Sequence, residues 1–534
     1  MTWWSDDALE HETDEATEPA HHVEVAIVGA GFAGIGAAIQ LQRAGRESFV
    51  VLEKAQALGG TWRDNTYPGV ACDIPSHLYS FSFSPNPTWS RVFAPGGEIR
   101  AYLEHTADAE GVRDRIVSGA ELLDATWDAA ADCWRLTTTR GDWTADALLL
   151  ACGRLVEPAI PVSAASGGEV GGAGGAPPTP ADLGSFTGQI FHSARWRHDV
   201  DLAGARVAVV GTGASAVQLV PELAAAGAQV TVFQRSAPWV MPRGDREYSA
   251  DELAHFETDP SAVAAVRNDA FAAGEAMFSQ RLGDPAALAA ARARALDHLH
   301  SQVTDARLRR ILTPDYEIGC KRVLFSDDWY PAIATGRVDL EPSAFAGVAT
   351  GDDDSGQLVA ASGRRIDADV LIFATGFETA EQPYARLVHG AGGRSLAEHW
   401  AGGMTSVAST VVSGFPNLFV LNGPNASLGH NSSIVMIEAQ LQFVLDALDH
   451  LESRGDRVLE ATPQAEASYT AALDAAASAT VWLTGGCTNW YVDDRSGRLT
   501  LLWPGTATAF SERGAVFDRA VFFPDLIDAG LPSV

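Results

Sequence analysis

Cysteine is scarce in this sequence. The five in 534 residues (Cys72, Cys133, Cys152, Cys320 and Cys487) lack the spacing of a metal site or of a redox Cys-x-x-Cys. That sets aside zinc modules and dithiol reductases. The odd, sparse count predicts reduced thiols in a cytoplasmic protein rather than a disulfide framework. Basic residues are also few: 37 Lys and Arg against 68 Asp and Glu leave a net charge of −31. Coulomb repulsion then opposes nucleic acid and anionic membrane surfaces as partners. An anionic ligand must be met by basic residues concentrated locally. No apolar run is long enough to span a membrane, because glycines interrupt the most hydrophobic stretch, Val25 to Leu41. No secretory leader is visible, and the acidic residues 1–22 read as a mobile tail. The remainder has the composition of a globular protein with room for two or three domains.

What is present begins at Val23. A short β-branched run, Val23 to Val28, meets Gly29-Ala30-Gly31-Phe32-Ala33-Gly34, and a small-residue helix follows through Arg43. The next strand, Ser48 to Glu53, ends in an acid. Strand, glycine turn, helix, strand and acid form the dinucleotide-binding fingerprint. Gly29, Gly31 and Gly34 let backbone N–H groups approach a pyrophosphate, and Glu53 is placed to accept hydrogen bonds from a ribose. Gly59-Gly60-Thr61-Trp62 and then Tyr67-Pro68-Gly69-Val70-Ala71-Cys72-Asp73 come next. Asp73 reads either as a turn cap or as a functional acid.

A second unit repeats the design. Arg206 to Val210 runs into Gly211, Gly213 and Ser215, and the following strand, Val230 to Phe233, ends in Gln234-Arg235-Ser236. Arg235 and Ser236, where the first unit has an acid, suit a 2′-phosphate and so favour NADPH over NADH. The alternative for Arg235 is a solvated surface charge. Two buried strands with small-residue turns, Ala147 to Gly153 and Val370 to Gly376, mark the seams. Residues 246–317 are Ala-rich with helical periodicity and predict a helical insert. Residues 163–181, rich in Gly, Ala, Pro and Ser, predict a flexible insertion, either inert or gating. The fold class expected is α/β. One nucleotide domain takes 23–155 and 374–534, and the other 156–245 and 318–373.

Between the units lies Phe186-x-Gly188-x3-His192-x3-Trp196. This spacing resembles the fingerprint of type I Baeyer–Villiger monooxygenases, flavoenzymes that convert ketones to esters or lactones. Gly59-Gly60-x-Trp62-x4-Tyr67-Pro68-Gly69-x3-Asp73 resembles a second family pattern, and the likeness runs from about Val23 to Phe522. It is closest to the 4-hydroxyacetophenone-oxidising branch. The resemblance implies FAD on Gly29, Gly31, Gly34, Glu53, Gly60, Thr61 and Trp62, and NADPH on Gly211, Gly213, Ser215, Arg235, Ser236 and Lys321. It implies that Arg322, oriented by Asp73, stabilises the anionic C4a-peroxide that reduced flavin forms with O2 and that attacks the ketone substrate. No metal is implied, and the assembly expected is a monomer or small homo-oligomer. His192 is read as coupling domain movement to cofactor binding from an interdomain linker, not from a strand tip. Trp503 either borders the nicotinamide or is core, and His430 and Asn431 either face substrate or cap. Arg197, after Trp196, departs from the pattern. It leaves open a flavin-containing monooxygenase that oxidises amines or thioethers.

Overall fold

The structure, a computed structural model, describes residues 21–160, 183–349 and 356–522. The expected insertion at 163–181 and residues 1–20 of the expected tail lie outside these. His21 and His22, counted with the tail, instead begin the first strand, His21–Val28.

Five parallel strands form the backbone of the first sheet, in the order Ile116–Ser118, Phe49–Glu53, His21–Val28, Gly141–Leu150 and Leu418–Val420. The apolar runs of the four strands inside the edge strand Ile116–Ser118 are buried, the pattern parallel strands require. The long strand Gly141–Leu150 also pairs antiparallel with Cys133–Thr138, which pairs with Leu122–Asp128. There Trp127 and Trp134 stand opposite each other in edge-to-face contact, with centroids 5.7 Å apart. A cross-strand aromatic pair of this kind contributes up to about 1 kcal/mol beyond its buried area.

The second sheet is wholly parallel, in the order Val338–Glu341, Gln229–Phe233, Arg206–Val210, Val370–Phe373 and Gln189–His192. Two Rossmann-type units in one α/β chain are therefore borne out. The fingerprint does not form an interdomain linker. It supplies an edge strand of this sheet, and His192 is that strand's last residue, paired with Phe373. The apolar Ile190 and Phe191 make the segment a strand, and a short hydrophilic lead-in disguises it in the sequence. Between strands Val240–Met241 and Leu324–Phe325 the chain is largely helical: Ala250–Thr258, Pro260–Ala276, Phe278–Arg281, Pro285–Gln302 and Ala306–Leu312. Ser249, Asp259, Asp284 and Asp305 cap four of these with side-chain oxygens, each worth about 1 kcal/mol.

The expectation of reduced thiols fails for one pair. Cys320 and Cys487 form a disulfide, although 167 residues separate them in sequence. Only the fold makes them neighbours. Cys72, Cys133 and Cys152 are free. Closing so long a loop restricts the unfolded chain and stabilises by at most about 5 kcal/mol. Reduction, or Cys487→Ser, is expected to lower the melting temperature by several degrees; scanning with and without reductant measures this.

Two buried histidines set an acid limit. Burial, aided by Arg267, lowers His77 to about 4, and burial with Arg195 lowers His192 to about 4. Both are held neutral in the fold. The unfolded chain therefore binds more protons between about pH 6.5 and 4. The stability they contribute is complete above pH 6.5 and is lost as pH falls through 4. Thermal melts across that window, compared with the double variant His77→Phe/His192→Phe, are expected to show the steeper decline in the parent.

Candidate functional site

Both glycine turns are built the same way. Gly29 has φ +107° and Gly211 φ +109°. A Cβ at Gly29 would sit 2.6 Å from the Ala151 carbonyl oxygen, and one at Gly211 would sit 2.5 Å from that of Ala374. Each turn thus passes directly over the seam strand of its own sheet, where only glycine fits. Gly31 and Gly213 are the N-caps of helices Phe32–Arg43 and Ala214–Ala225, and neither helix end has a side-chain cap. Neither has an acid in its first turn, whereas Ser432 and Thr462 cap their helices conventionally. Two helix N-termini left with free N–H groups beside glycine cradles fit two pyrophosphates.

Around the first cradle, a Cβ at Gly60 would meet the Gly31 Cα at 3.1 Å. Thr61 is exposed beside it, and Trp62 is buried against Tyr79. Glu53 is itself buried. Its Oε2 accepts from Ala30 N at 2.8 Å, and its Oε1 accepts from Ala55 N and from Arg63 Nη1. The acid therefore fixes the turn while Oε2 keeps one lone pair for a further donor.

Around the second cradle, Lys321 Nζ donates to Ser236 Oγ at 2.7 Å and lies 4.6 Å over the Tyr316 ring. Burial and the nearby Arg235 lower the Lys321 pKa. Two cations and a hydroxyl at one strand tip suit a phosphate. The sequence held a signal for this that spacing alone did not use: the chain has only two lysines, Lys54 and Lys321. Ser215 sits on the first helical turn beside Tyr67, whose hydroxyl donates to Gln218 Oε1 at 2.9 Å.

That tyrosine begins the bridge between the units. Gln218 Nε2 donates to the Ala71 carbonyl, and Arg243 Nη2 donates to that of Cys72. The 67–73 segment of the first unit is thereby pinned to the second. Its end carries Asp73, which receives Arg322 Nη2 at 2.7 and 2.6 Å and Nε at 3.2 Å. Asp73 pushes the Arg322 pKa further above its ordinary value. The carboxylate grips one edge of the guanidinium, and the side chain of Arg322 remains 40% exposed. The pair presents a permanent cation in fixed orientation.

Other expected residues fall elsewhere. Trp503 is fully buried, with Nε1 donating to Thr506 O and its ring against Phe510. It is core, and the pocket-lining assignment is withdrawn. His430 and Asn431 are buried too. The Asn431 Nδ2 donates to Glu275 Oε1 and to Phe271 O, which ties the loop to the helical insert. Within the fingerprint, Phe191 and Trp196 meet edge to face at 5.1 Å. A Cβ at Gly188 would lie 2.4 Å from Asp369 O and 2.5 Å from the Phe186 ring. These residues lock the edge strand. Arg197 pairs with Asp199 at 2.7 Å on the surface. Its departure from the pattern does not reach the site. Buried Arg154, which sequence reading passed over, donates to Leu501 O and to Asn422 Oδ1. Its place directly after the first seam turn was the available clue.

A family profile described as NAD(P)-binding Rossmann-like domain matches residues 27–95. The chain is 43% identical to a Streptomyces coelicolor protein named Baeyer–Villiger monooxygenase, over 94% of this chain and 92% of that one. It is 38% identical to a Pseudomonas aeruginosa protein of the same name, over 96% and 94%. Among solved structures, a steroid monooxygenase bound to NADP superposes with a TM-score of 0.76 at 29% identity, covering 92% of this chain and 97% of that one. Cyclohexanone monooxygenase in its closed form superposes with a TM-score of 0.76 at 26% identity and the same coverage. No helix among the described residues is long and apolar enough to cross a membrane. With relatives of that name matching it along nearly its whole length, the chain belongs to the Baeyer–Villiger monooxygenase family.

Proposed function

We propose that this chain is an FAD-containing, NADPH- and O2-dependent monooxygenase that inserts one oxygen atom beside the carbonyl of a ketone, giving an ester or lactone. The observation that carries this reading is the Arg322–Asp73 pair, which joins the two dinucleotide units. FAD would rest on Gly29, Gly31, Gly34, Glu53 and the Gly60–Trp62 turn, in the unit of residues 23–155 and 374–534. NADPH would rest on Gly211, Gly213 and Ser215, with its 2′-phosphate on Arg235, Ser236 and Lys321, in the unit of 156–245 and 318–373. The helices of 246–317 form an insert in the second unit. When bound, FAD supplies the two-electron exchange with NADPH and the reactivity toward O2 that side chains lack.

The protein's part is electrostatic. Oxygen insertion beside a carbonyl needs an anionic oxygen nucleophile and then places negative charge on the carbonyl oxygen. A guanidinium does not lose its proton at any working pH, so Arg322 offsets that charge without entering proton transfer. Asp73 holds the guanidinium plane in one orientation and prevents it from collapsing onto a passing phosphate. His192, neutral and accepting from Ala194 N through Nδ1, fixes the turn after the edge strand and takes no part in proton transfer. The cytoplasm is the compartment we assign, because NADPH is maintained there. The assembly is a monomer or small homo-oligomer.

The reaction class is tested by aerobic NADPH consumption against aryl, cyclic and linear ketones and one thioether, with peroxide assayed and products identified by mass spectrometry. Ester or lactone with little peroxide is the expected result. Sulfoxide alone, with ketones yielding only peroxide, would replace this reading by amine and thioether oxidation. The phosphate assignment is tested separately. Lys321→Ala is expected to raise the KM for NADPH by about 10- to 100-fold, the loss of one charge-assisted hydrogen bond, and to leave that for NADH nearly unchanged.

A further inference from the structure

A buried arginine near Arg322 has no salt-bridge partner among the described residues. Arg281 ends the short helix Phe278–Arg281 and is 5% exposed. Its Nη2 donates to the Gly429 carbonyl at 3.0 Å, while Nε and Nη1 are buried without a hydrogen-bond partner. Burial is the largest influence and lowers its pKa; the titratable groups around it are Tyr491, Arg322 and His430, the last paired with Glu275. The contrast with its neighbours is sharp. Arg322 has Asp73, and Arg154 spends its donors on Leu501 O and Asn422 Oδ1.

The space is reserved for this guanidinium. A Cβ at Gly319 would stand 2.4 Å from Arg281 Nη1, and Gly319 lies two residues before Lys321. A Cβ at Gly429, whose carbonyl accepts the Nη2 bond, would stand 3.2 Å from the Trp482 ring and 3.7 Å from Arg281 Nε. Tyr491 is buried, and the charges that act on its hydroxyl are those of Arg322, Arg281, Asp73 and Arg154. Arg281 therefore lies beneath the pair assigned to oxygen insertion, whose Arg322 is itself partly open to solvent.

An unpaired buried cation is among the most destabilising features a core can hold, and it is retained where a ligand completes it. We propose that Arg281 is the specificity-determining residue of the substrate pocket and pairs with a carboxylate carried by the ketone, so that the preferred substrates are keto acids. This rests on the monooxygenase reading above. A cofactor phosphate has the same chemistry, but its partners lie elsewhere: the uncapped helix at Gly213, and the Lys321–Ser236–Arg235 tip. The net charge of −31 makes the requirement stricter, since a free carboxylate approaches this protein only where a local cation outweighs the general repulsion.

The test uses the full FAD-loaded chain and its Arg281→Met and Arg281→Lys variants. The probes are 4-acetylbenzoate, 3-oxocyclohexanecarboxylate and 5-oxohexanoate, each beside its methyl ester. Thermal melts report binding, and NADPH-dependent turnover reports kcat and KM. In the parent, at least one acid is expected to raise the melting temperature where its ester does not, with an acid-to-ester kcat/KM ratio above about 30, the selectivity that one charge-assisted contact supplies. Arg281→Met is expected to abolish the shift and bring the ratio near one through the acid's KM, and Arg281→Lys to recover part of both. Removing an unpaired charge also predicts that ligand-free Arg281→Met melts no lower than the parent, so a folding defect would show itself. Acid-to-ester ratios near one in the parent, or a ratio that survives Arg281→Met, overturn the proposal. So does a rise confined to the KM for NADPH, which would assign the guanidinium to a cofactor phosphate. If no ketone, charged or neutral, is oxidised, the monooxygenase reading fails instead. The melting shift then decides alone: an acid shift lost in Arg281→Met keeps the anion site, and no shift removes it.

Discussion

Arg322→Ala is expected to reduce ester formation by about three orders of magnitude while anaerobic NADPH oxidation by the bound flavin stays within about tenfold of the parent. The asymmetry follows from where the cation sits. It is fixed on Asp73 by three contacts of 2.6 to 3.2 Å, with its outer face open. Hydride delivery develops no localised anion there, whereas oxygen insertion does. Reducing equivalents should then escape as peroxide, so NADPH consumption in air persists without product. Arg322→Lys keeps the charge and loses the planar fork that Asp73 grips, and an intermediate rate is expected. Stopped-flow absorbance under nitrogen separates the two half-reactions. An Arg322→Ala variant that still formed ester at the parent rate would remove the residue from the chemistry.

Gly34→Ala is expected to yield protein without bound flavin. Gly34 lies in helix Phe32–Arg43, and a Cβ there would stand 1.8 Å from the Gly29 carbonyl oxygen. No rotamer can relieve that contact, because both atoms are fixed by the backbone. The helix must withdraw from the turn, and the uncapped N–H groups withdraw with it. Overpacking of this kind costs about 1–3 kcal/mol or more, and the larger effect is on the cradle itself. Flavin absorbance of the purified variant against the parent measures the loss. Gly97→Ala is the control: nothing lies within 4 Å of a Cβ there, in helix Gly96–Ala109. It is expected to retain flavin fully.

The parts of the site legible in the sequence are those where chemistry constrains consecutive residues. A phosphate cradle needs glycines at fixed positions after a strand, and Gly29, Gly31, Gly211 and Gly213 stand where that rule puts them. The pairing of Arg322 with Asp73 was legible only through family resemblance, since 249 residues separate them. Features made by tertiary approach left weaker traces. Cys320 and Cys487 look like isolated thiols, and Arg281 in an alanine-rich helical stretch looks like a surface charge. Trp503 was ambiguous because an aromatic before Pro-Gly suits core and pocket equally, and packing against Phe510 and Gly514 decides for core. His192 was misplaced for a local reason: a strand of four residues, Gln189–His192, is too short to show alternation.

The most direct test of the central claim is the fate of molecular oxygen. A ketone that supports NADPH consumption is incubated with the FAD-loaded protein under 18O2, and the product is analysed by mass spectrometry. The account predicts an ester or lactone carrying one 18O atom, formed with roughly one NADPH per product. Unlabelled product, or NADPH consumption matched by peroxide with no oxygenated ketone at all, would contradict it.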